Sequence, residues 1–369
     1  MTPSSWTEEQ IAYFALANFV GFGNKRLKRL FHLFGSWKIA WAAPIPRLLQ
    51  TGISEQILSN FLSWRRTFDL TNTLAQLAGE SIQVLLPDDP AFPHILEQSA
   101  DPPALLYVRG TLSPVPSIAI VGTRKPTSYG SQCVDTLVPP LCDAGFATVS
   151  GLALGVDGLV HTRTISSRGT TVAFVGSGVD DASLYPATHL HLAHDILSHG
   201  GAIVSELPLG TKARKEHFPQ RNRLIATYSC ATVVIEAAEK SGSLITAKLA
   251  LEENREVFSV PGPIWSSQSR GTNNLLRSGA HVCTCVQDIF DGLHLDRPDL
   301  VTKAQATFPL DPLETRVLEL LIEPRHQDEL GRLLECSSAA ISSVMTMLEL
   351  KGCISCLGGN TWVKTRLPT

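Results

Sequence analysis

The chain has 369 residues, of which 44% are apolar and 18% are charged, so it is long enough for two or three folded domains and too apolar for a disordered protein. Glu8 and Glu9 stand where a secretory leader would be basic, and no stretch reaches the roughly 18 uncharged apolar residues that a membrane span requires. The eight scattered cysteines are too sparse for a disulfide framework. These features exclude a secreted disulfide scaffold and a membrane protein, and we expect a cytoplasmic location.

The net charge of −3 conceals two basic clusters. Residues 1–66 contain eight Lys or Arg against three Glu, and residues 212–223 contain five Lys or Arg against one Glu. Local positive charge on a mildly acidic protein indicates that a polyanion binds at defined places rather than over the whole surface.

Short helices separated by glycine and proline are expected over residues 8–80, which predicts a small helical domain at residues 1–80. Seven prolines follow between Pro87 and Pro116, so the segment 81–116 is expected to be an extended connector. These two regions precede the part of the chain in which strands are expected.

A parallel α/β domain is predicted over residues 117–300, because short β-branched runs alternate there with glycine turns and longer amphipathic stretches. The runs lack polar alternation, so helices should cover both faces of the sheet. Pro139 and Pro140 fall in the first crossover and are expected to end or kink its helix early. The expected strands are 118–121, 147–150, 172–175, 202–205, 232–235 and 257–260.

A winged helix is predicted over residues 301–369. A helix should begin after Asp311 with Pro312 in its first position, and two further helices, over 326–334 and 337–350, should precede a hairpin through Gly358 and Gly359. Residues 312–369 hold six basic and seven acidic residues, and the last helix has no Lys or Arg before Lys351. We therefore expect this domain to bind protein or to pack on its neighbour rather than to grip duplex DNA.

Cys353 and Cys356 form a CxxC pair near the C-terminus, but no second CxxC or His pair accompanies them. Their expected role is that of small apolar residues in a strand. No metal site and no cofactor are predicted. A nicotinamide cofactor would need a complete GxGxxG with an acidic residue about 20 positions on, and no segment supplies it.

The segment IAIVGTRKPTSYG places Gly122, Thr123, Arg124 and Lys125 directly after the first expected strand. Open α/β sheets bind ligands at the carboxyl ends of their strands, and backbone donors beside two cations suit a phosphate. An ordinary turn with solvated charges is the alternative.

The segment GTKARKEHFPQRNR, residues 210–223, is the strongest candidate site. Lys215, Phe218, Arg221 and Arg223 surround a turn that contains proline. Proteins that bind single strands combine cations for the backbone with an aromatic face for a base. Phe218 could instead be a core residue, but the charge density around it favours nucleic acid.

Two further motifs have structural alternatives. Asp157 and His161 are four apart and share one face of a helix, as a catalytic or metal pair would. No third ligand or nucleophile is spaced to match, so a packing or capping pair is the favoured interpretation. Residues 241–247, SGSLITA, could offer hydroxyls and amides to a ligand at a helix N-terminus, or Ser241 could simply be the N-cap.

Eight motifs occur in the order seen in the DprA/Smf family of DNA-processing proteins, which act in natural transformation and competence. They are GTRKPTSYG, SGLALGVDGLVH, FVGSGVD, SELPLGT, HFPQRNRLIA, SGSLITA, REVFSVPG and RGTNNLLRSGA, within residues 118–280. The resemblance implies an extended Rossmann-like fold, flanked by an N-terminal SAM-like domain and a C-terminal winged helix. It also implies a non-enzymatic homodimer that binds single-stranded DNA and helps to load a RecA-type recombinase in DNA recombination.

By position, the resemblance implies DNA contacts for Arg124, Lys215, Phe218, Arg221 and Arg223. Adjoining motifs add weaker candidates. These are Ser150, Gly151, Asn222, Ser243 and Asn273.

The rival from another class is a nucleotide-processing enzyme on the same fold that resembles the phosphoribohydrolases. Those enzymes carry a catalytic Glu in a PGGxGTxxE motif, whereas SGSLITA is followed here by Lys248. A protein-interaction scaffold whose basic clusters only confer solubility is the third possibility. The motif order favours single-stranded DNA binding over both.

Overall fold

The computed structural model describes residues 6–295, 311–321, 325–334, 336–350, 354–358 and 360–364. The chain divides into two compact units, Met1–His294 and Leu295–Thr369. None of the helices among the described residues combines the length and the apolar character that are needed to cross a bilayer.

The first unit begins with six helices. They are α1 (Glu8–Ala17), α2 (Asn24–Phe34), α3 (Trp37–Ala42), α4 (Ile45–Leu48), α5 (Glu55–Thr67) and α6 (Leu70–Gly79). Thr7 starts α1 in a capping box with Gln10, and α2 ends at Gly35, whose φ of 65° suits a residue without a Cβ. Their buried side chains form one core with side chains of the sheet that follows. The helical region is therefore packed on the sheet and is not separated from it by a connector.

The nine-stranded sheet has the order β1-β2-β6-β5-β4-β3-β7-β8-β9. Its strands are β1 (Ile82–Leu85), β2 (Leu106–Gly110), β3 (Ser117–Val121), β4 (Ala147–Ser150), β5 (Thr171–Phe174), β6 (Ala202–Ser205), β7 (Ala231–Val234), β8 (Glu256–Ser259) and β9 (His281–Val282). Seven neighbouring strands, β6-β5-β4-β3-β7-β8-β9, are parallel to one another. At one side of them β2 pairs with β6, and β1 pairs with β2, both in antiparallel orientation. All six predicted strands are confirmed to within one residue at each end.

The expectation of an extended connector over 81–116 is wrong. This segment contains β1, β2 and the short helix α7 (His94–Glu97), and Tyr107 and Val108 of β2 pair with Ser205 and Val204 of β6. The prolines lie outside both strands, so the backbone donors that the ladder requires are retained. The two short strands that extend the sheet were not predicted because the segment is rich in proline.

Helices cover both faces of the sheet, as predicted. They are α8 (Ser128–Asp143), α9 (Val156–Ser166), α10 (Leu190–Ser198), α11 (His217–Tyr228), α12 (Gly242–Glu252), α13 (Arg270–Arg277) and α14 (Val286–Gly292). Along β3, Ala119 and Val121 enter the core that holds side chains of α11 and α12, whereas Ile118 and Ile120 enter the core on the opposite face with α8 and α9. Alternate residues of each strand are thus buried on opposite faces.

Of the two effects expected from Pro139 and Pro140, a kink or an early end of the first crossover helix, the early end is wrong, since α8 continues to Asp143. Each proline removes one backbone donor. The turn beyond them is still closed by the bond from Ala144 N to Pro140 O at 3.0 Å, and Val138 and Leu141 are buried in the core. Packing therefore maintains a helix that local propensity would end.

The second unit is a winged helix, as predicted. It consists of α15 (Pro312–Leu320), β10 (Arg325–His326), α16 (Gln327–Leu333), α17 (Ser338–Leu350), β11 (Ile354–Gly358) and β12 (Thr361–Lys364), with the strand order β10-β12-β11. Asp311 caps α15 in a capping box with Glu314, and Pro312 is the first helical residue. Gly359 and Cys353, which the hairpin and CxxC predictions invoked, lie outside the described residues.

Replacement of Phe14 tests the shared core. Phe14 is fully buried and its ring centroid lies 6.5 Å from that of Tyr107 in β2. Phe14→Ala should lower the free energy of unfolding by about 3–5 kcal/mol, because the cavity weakens helices and sheet together. Denaturant unfolding measures the loss, and hydrogen exchange should show α1 and β2 opening in the same transition.

The matched control is Phe31→Ala, since Phe31 is a phenylalanine of the same helical region with an exposed ring. It should change the free energy of unfolding by about 1 kcal/mol or less. Early opening of α1 in the Phe14 variant, with exchange in β2 unchanged, would show that the helices fold independently of the sheet.

Candidate nucleic-acid interface

The candidate site lies at the carboxyl ends of β3 and β7. The chain passes from β3 outwards to β4, β5 and β6, and then returns to place β7 on the other side of β3. The connections after β3 and β7 therefore diverge and leave a crevice between them. Open α/β sheets bind their ligands at such a switch point.

A cleft of about 520 Å³ occupies this crevice. The segment after β3, the first turns of α11 and the N-terminus of α12 form its walls. The structure brings together there seven of the predicted site residues, namely Gly122, Arg124, Lys215, Phe218, Arg221, Asn222 and Ser243.

The aromatic and cationic wall of the cleft is centred on Phe218. The Arg124 Cζ lies 5.4 Å from the centroid of its ring, at cation–π distance, and both Arg124 and Lys215 are exposed. Phe218 is half-buried rather than sealed in the core, because it lies in the first turn of α11 at the edge of the sheet. The alternative of a core phenylalanine does not hold.

Tyr185 lies beside this wall and was not among the predicted site residues. Its ring is 50% exposed and its centroid lies 5.9 Å from that of Phe218. The signal available in the sequence was its position beside Pro186, five residues after the FVGSGVD motif. Its ring adds a second aromatic side chain next to the one that the sequence predicted.

The floor of the cleft contains a buried guanidinium. Arg221 is 6% exposed and donates to the carbonyl oxygens of Gly151 and Phe174, at the ends of β4 and β5. Asp157 is also buried and accepts from the backbone of Gly151 and Ala153 at 3.1 and 3.3 Å. Burial lowers the pKa of Arg221 to about 10 and raises that of Asp157, and the charge of each opposes the shift of the other.

Asp157 and His161 each contact other groups, which fits the packing interpretation. Asp157 holds the turn after β4, and the fully buried His161 ring places Nδ1 2.7 Å from the Thr171 hydroxyl oxygen. Burial lowers the pKa of His161 to about 3, so the imidazole is neutral at physiological pH. Within the described residues, no group of three His, Cys, Asp or Glu side chains is placed to hold a metal ion.

The N-terminus of α12 forms the wall opposite Arg124. Ser241 is the N-cap, which was one of the two alternatives for this segment, and its hydroxyl oxygen accepts from Ser243 N and lies 2.8 Å from Ser243 Oγ. The first residues of α12 line the cleft, where their backbone N–H groups favour an anion.

Five predicted site residues do not line the cleft. Ser150 is fully buried and donates to Ile120 O at 2.7 Å. Gly151 is hydrogen-bonded to both Arg221 and Asp157. Thr123 is buried, and its hydroxyl oxygen accepts from Lys125 N. These three shape the strand ends. Asn273 is occupied by Gly262, whose N–H and carbonyl it binds at 3.2 and 3.0 Å.

Arg223 lies apart from the others. Residues two apart on a helix point about 200° away from each other, so Arg221 and Arg223 occupy different sides of α11. Arg223 pairs with Glu206 and Asp101 in a second cleft, of about 480 Å³, which Arg26 and Arg29 of the N-terminal region also line. The sequence grouped the two arginines because it took HFPQRNR as a turn.

Comparison with known proteins agrees with the fold. The family model described as DNA recombination-mediator protein A matches residues 83–294, and the DprA winged helix domain matches residues 301–360. Protein Smf of Synechocystis is 32% identical over 94% of this chain and 96% of its own length. DNA processing protein DprA of Bacillus subtilis is 40% identical over 61% of this chain and 75% of its own length.

Two solved structures share the architecture. DprA of Streptococcus pneumoniae superposes with a TM-score of 0.63 at 27% identity, over 78% of this chain and 98% of that one. DprA of Helicobacter pylori, whose structure is described for its single-stranded DNA binding mode, gives a TM-score of 0.51 at 30% identity over 58% of this chain and 95% of that one. Fold and cleft define a Rossmann-like α/β protein with a cationic and aromatic site at the switch point. The chain belongs to the DprA/Smf family of DNA-processing proteins.

The buried imidazole predicts a pH-dependent stability. In the unfolded chain His161 takes up a proton below about pH 6.5, whereas in the folded protein it stays neutral down to about 3. The free energy of unfolding should therefore fall as the pH decreases through this window. Between pH 7 and 5, wild type should lose about 2 kcal/mol more than His161→Gln, as measured by urea unfolding.

His191→Gln, at an exposed histidine of the same unit, controls for the removal of a histidine as such. Equal losses in wild type and His161→Gln would mean that the buried ring does become protonated in the folded state.

Proposed function

We propose that the cleft between β3 and β7 binds single-stranded DNA without base specificity. The observation that carries the proposal is the stack of Arg124 on Phe218, 5.4 Å from Cζ to ring centroid, beside the exposed Lys215. Cations neutralise phosphates of any sequence, and an aromatic ring stacks on any base. Such a surface discriminates unpaired strands from duplex, because only an unpaired base exposes its face.

The relatives support this assignment. The H. pylori protein is described by its single-stranded DNA binding, and the curated relatives of B. subtilis and S. pneumoniae carry the name DNA processing protein. Arg124, Lys215, Phe218 and Tyr185 contact the strand in our proposal, with Gly122, Asn222 and Ser243 around them. Arg221 acts from below by holding α11 in place.

We further propose that the protein acts by binding and not by catalysis. Asp157, which lines the cleft, accepts from backbone N–H groups, and Glu236, which follows β7, accepts from Thr127 N and Oγ1 at 2.9 and 2.7 Å. Lys248 stands after the SGSLITA motif, where the phosphoribohydrolases have a catalytic Glu. These features argue against a nucleotide hydrolase on the same fold.

We also propose that the protein works in the cytoplasm as a homodimer that loads a RecA-type recombinase onto the bound strand. Family membership is the main support. In addition, β9 is the last strand of the nine-stranded sheet and exposes Val282, and edges of this kind are suited to pairing with a second copy.

Charge reversal tests DNA binding. Arg124→Glu/Lys215→Glu should weaken the binding of oligothymidylate and of mixed-sequence single strands alike, by roughly ten-fold to a hundred-fold, because two phosphate contacts become repulsive. The dependence of affinity on salt should also become shallower by about two counterions. Fluorescence anisotropy at several salt concentrations measures both quantities.

Lys248→Glu/Arg277→Glu is the matched control, because it reverses two exposed charges that do not line the cleft. It should bind single strands nearly as wild type does. If the two double variants bind equally well, the cleft is not the DNA site.

Recombinase loading predicts a second result. Wild type should accelerate the assembly of a RecA-type recombinase on single strands that are already covered by a single-strand binding protein. Arg124→Glu/Lys215→Glu should lose most of this acceleration because it no longer holds the strand. The DNA-dependent ATPase of the recombinase is the readout, and an unchanged rate with wild type added would reject the loading role.

A further inference from the structure

The loop between β8 and α13 exposes two large apolar side chains at the same edge of the sheet as the cleft. Ile264 and Trp265 are 82% and 83% exposed, more than any other large hydrophobic side chain among the described residues. Neither belongs to the family motifs that led to the proposed site. A tryptophan so exposed requires an explanation, because its burial is normally favourable.

Hydrogen bonds hold this loop in a defined conformation. The Asn273 side chain binds both the N–H and the carbonyl of Gly262. The Tyr129 hydroxyl donates to Pro261 O at 2.7 Å. Ser266 N donates to Pro263 O at 3.0 Å. Trp265 lies between these anchored residues. Its exposure is therefore a property of the folded loop.

The loop is directly attached to one wall of the cleft. Ala237 N donates to Gln268 O at 2.8 Å and Gly271 N donates to Ala237 O at 2.7 Å, and the segment after Ala237 leads to Ser241 at the cleft. Since β3, β7 and β8 are adjacent and parallel, their connections leave the sheet at the same edge. Strand spacing places the end of β8 about 10 Å from the end of β3.

The charge around Trp265 matches a polyanion. Lys240 and Arg270 flank the two hydrogen-bonded connections and are both exposed, and residues 260–270 contain no Asp or Glu. Glu239 is the acid among the exposed neighbours. An exposed aromatic ring on a loop that ends at an exposed arginine, next to a connection that carries an exposed lysine, suits a nucleic acid strand better than an apolar protein surface.

We propose that Trp265 stacks on a base of the same single strand that occupies the cleft. The binding surface then extends from Phe218 across the ends of β7 and β8, and strands longer than the cleft can hold gain an additional contact. This inference rests on the proposed function. It adds a second stacking position that distinguishes long strands from short ones.

Oligothymidylates of two lengths, about 4 and about 16 nucleotides, test the position of Trp265, since single-strand sites span this range. Trp265→Ala should bind the longer strand roughly ten-fold more weakly than wild type and the shorter strand equally well. Trp265→Phe, which keeps an aromatic face, should retain most of the affinity for the longer strand. Ile264→Ala, which removes the apolar neighbour and leaves the indole, should bind as wild type does.

Tryptophan fluorescence gives an independent readout. The chain has six tryptophans, and Trp6 and Trp362 are buried. The longer oligothymidylate should quench the emission of wild type, and the Trp265→Phe variant should lose that quenching while it still binds. Analytical ultracentrifugation of the Trp265→Ala variant should show the oligomeric state of wild type.

Three results would overturn this inference. They are an affinity of Trp265→Ala equal to that of wild type for both oligonucleotides, unaltered fluorescence quenching in Trp265→Phe, and a change of oligomeric state in Trp265→Ala, which would assign the loop to contacts between copies. Failure of the proposed function gives a different result. In that case Arg124→Glu/Lys215→Glu binds both lengths as well as wild type does.

Discussion

The cleft depends on one buried charge. The Arg221 guanidinium donates to the carbonyls of Gly151 and Phe174, and so it fixes α11 against the carboxyl ends of the neighbouring strands β4 and β5. Burial disfavours the cation, yet its pKa of about 10 leaves it charged at neutral pH, because carbonyl oxygens and Asp157 replace water around it. Phe218 precedes Arg221 by three residues and shares its face of the helix. The aromatic wall is therefore positioned by a residue that is itself almost inaccessible to a ligand.

The sequence predicted the central sheet well for an identifiable reason. Each strand from β3 to β8 is buried on both faces, so its apolar run is continuous and its ends are marked by glycine or polar residues. β1 and β2 lack that contrast, because they lie among prolines and become strands through antiparallel pairing, β2 with β6 and β1 with β2. The partners of β2 in β6 lie 92 to 98 residues further along the chain, and such distant pairing leaves little local signal.

The sequence predicted which kinds of residue form the candidate site, but not how these residues are arranged on α11. Pro219 made HFPQRNR look like a turn, but it is the third residue of α11, in the first helical turn, where proline costs no hydrogen bond. Because this segment was not recognised as a helix, Arg221 and Arg223 were assigned to the same surface. Family motifs cannot correct this, because they combine residues that contact a ligand with residues such as Ser150 and Asn273 that maintain strand ends and loops. Burial separates the two kinds of residue, and burial is a tertiary property.

In the complex that we propose, the stack of Arg124 on Phe218 also determines how a strand enters the cleft. In the free protein the ring contacts the guanidinium on one side and Tyr185 on another. A base that stacks on Phe218 must displace one of these neighbours. An exposed cation–π contact contributes about 0.5–1 kcal/mol, whereas stacking of a base on an aromatic side chain contributes about 1–3 kcal/mol. Exchange of the guanidinium for a base is therefore favourable, and the released Arg124 is then free to pair with the phosphate of the nucleotide that displaced it. The same residue thus covers the ring in the free protein and, in the proposed complex, supplies a phosphate contact.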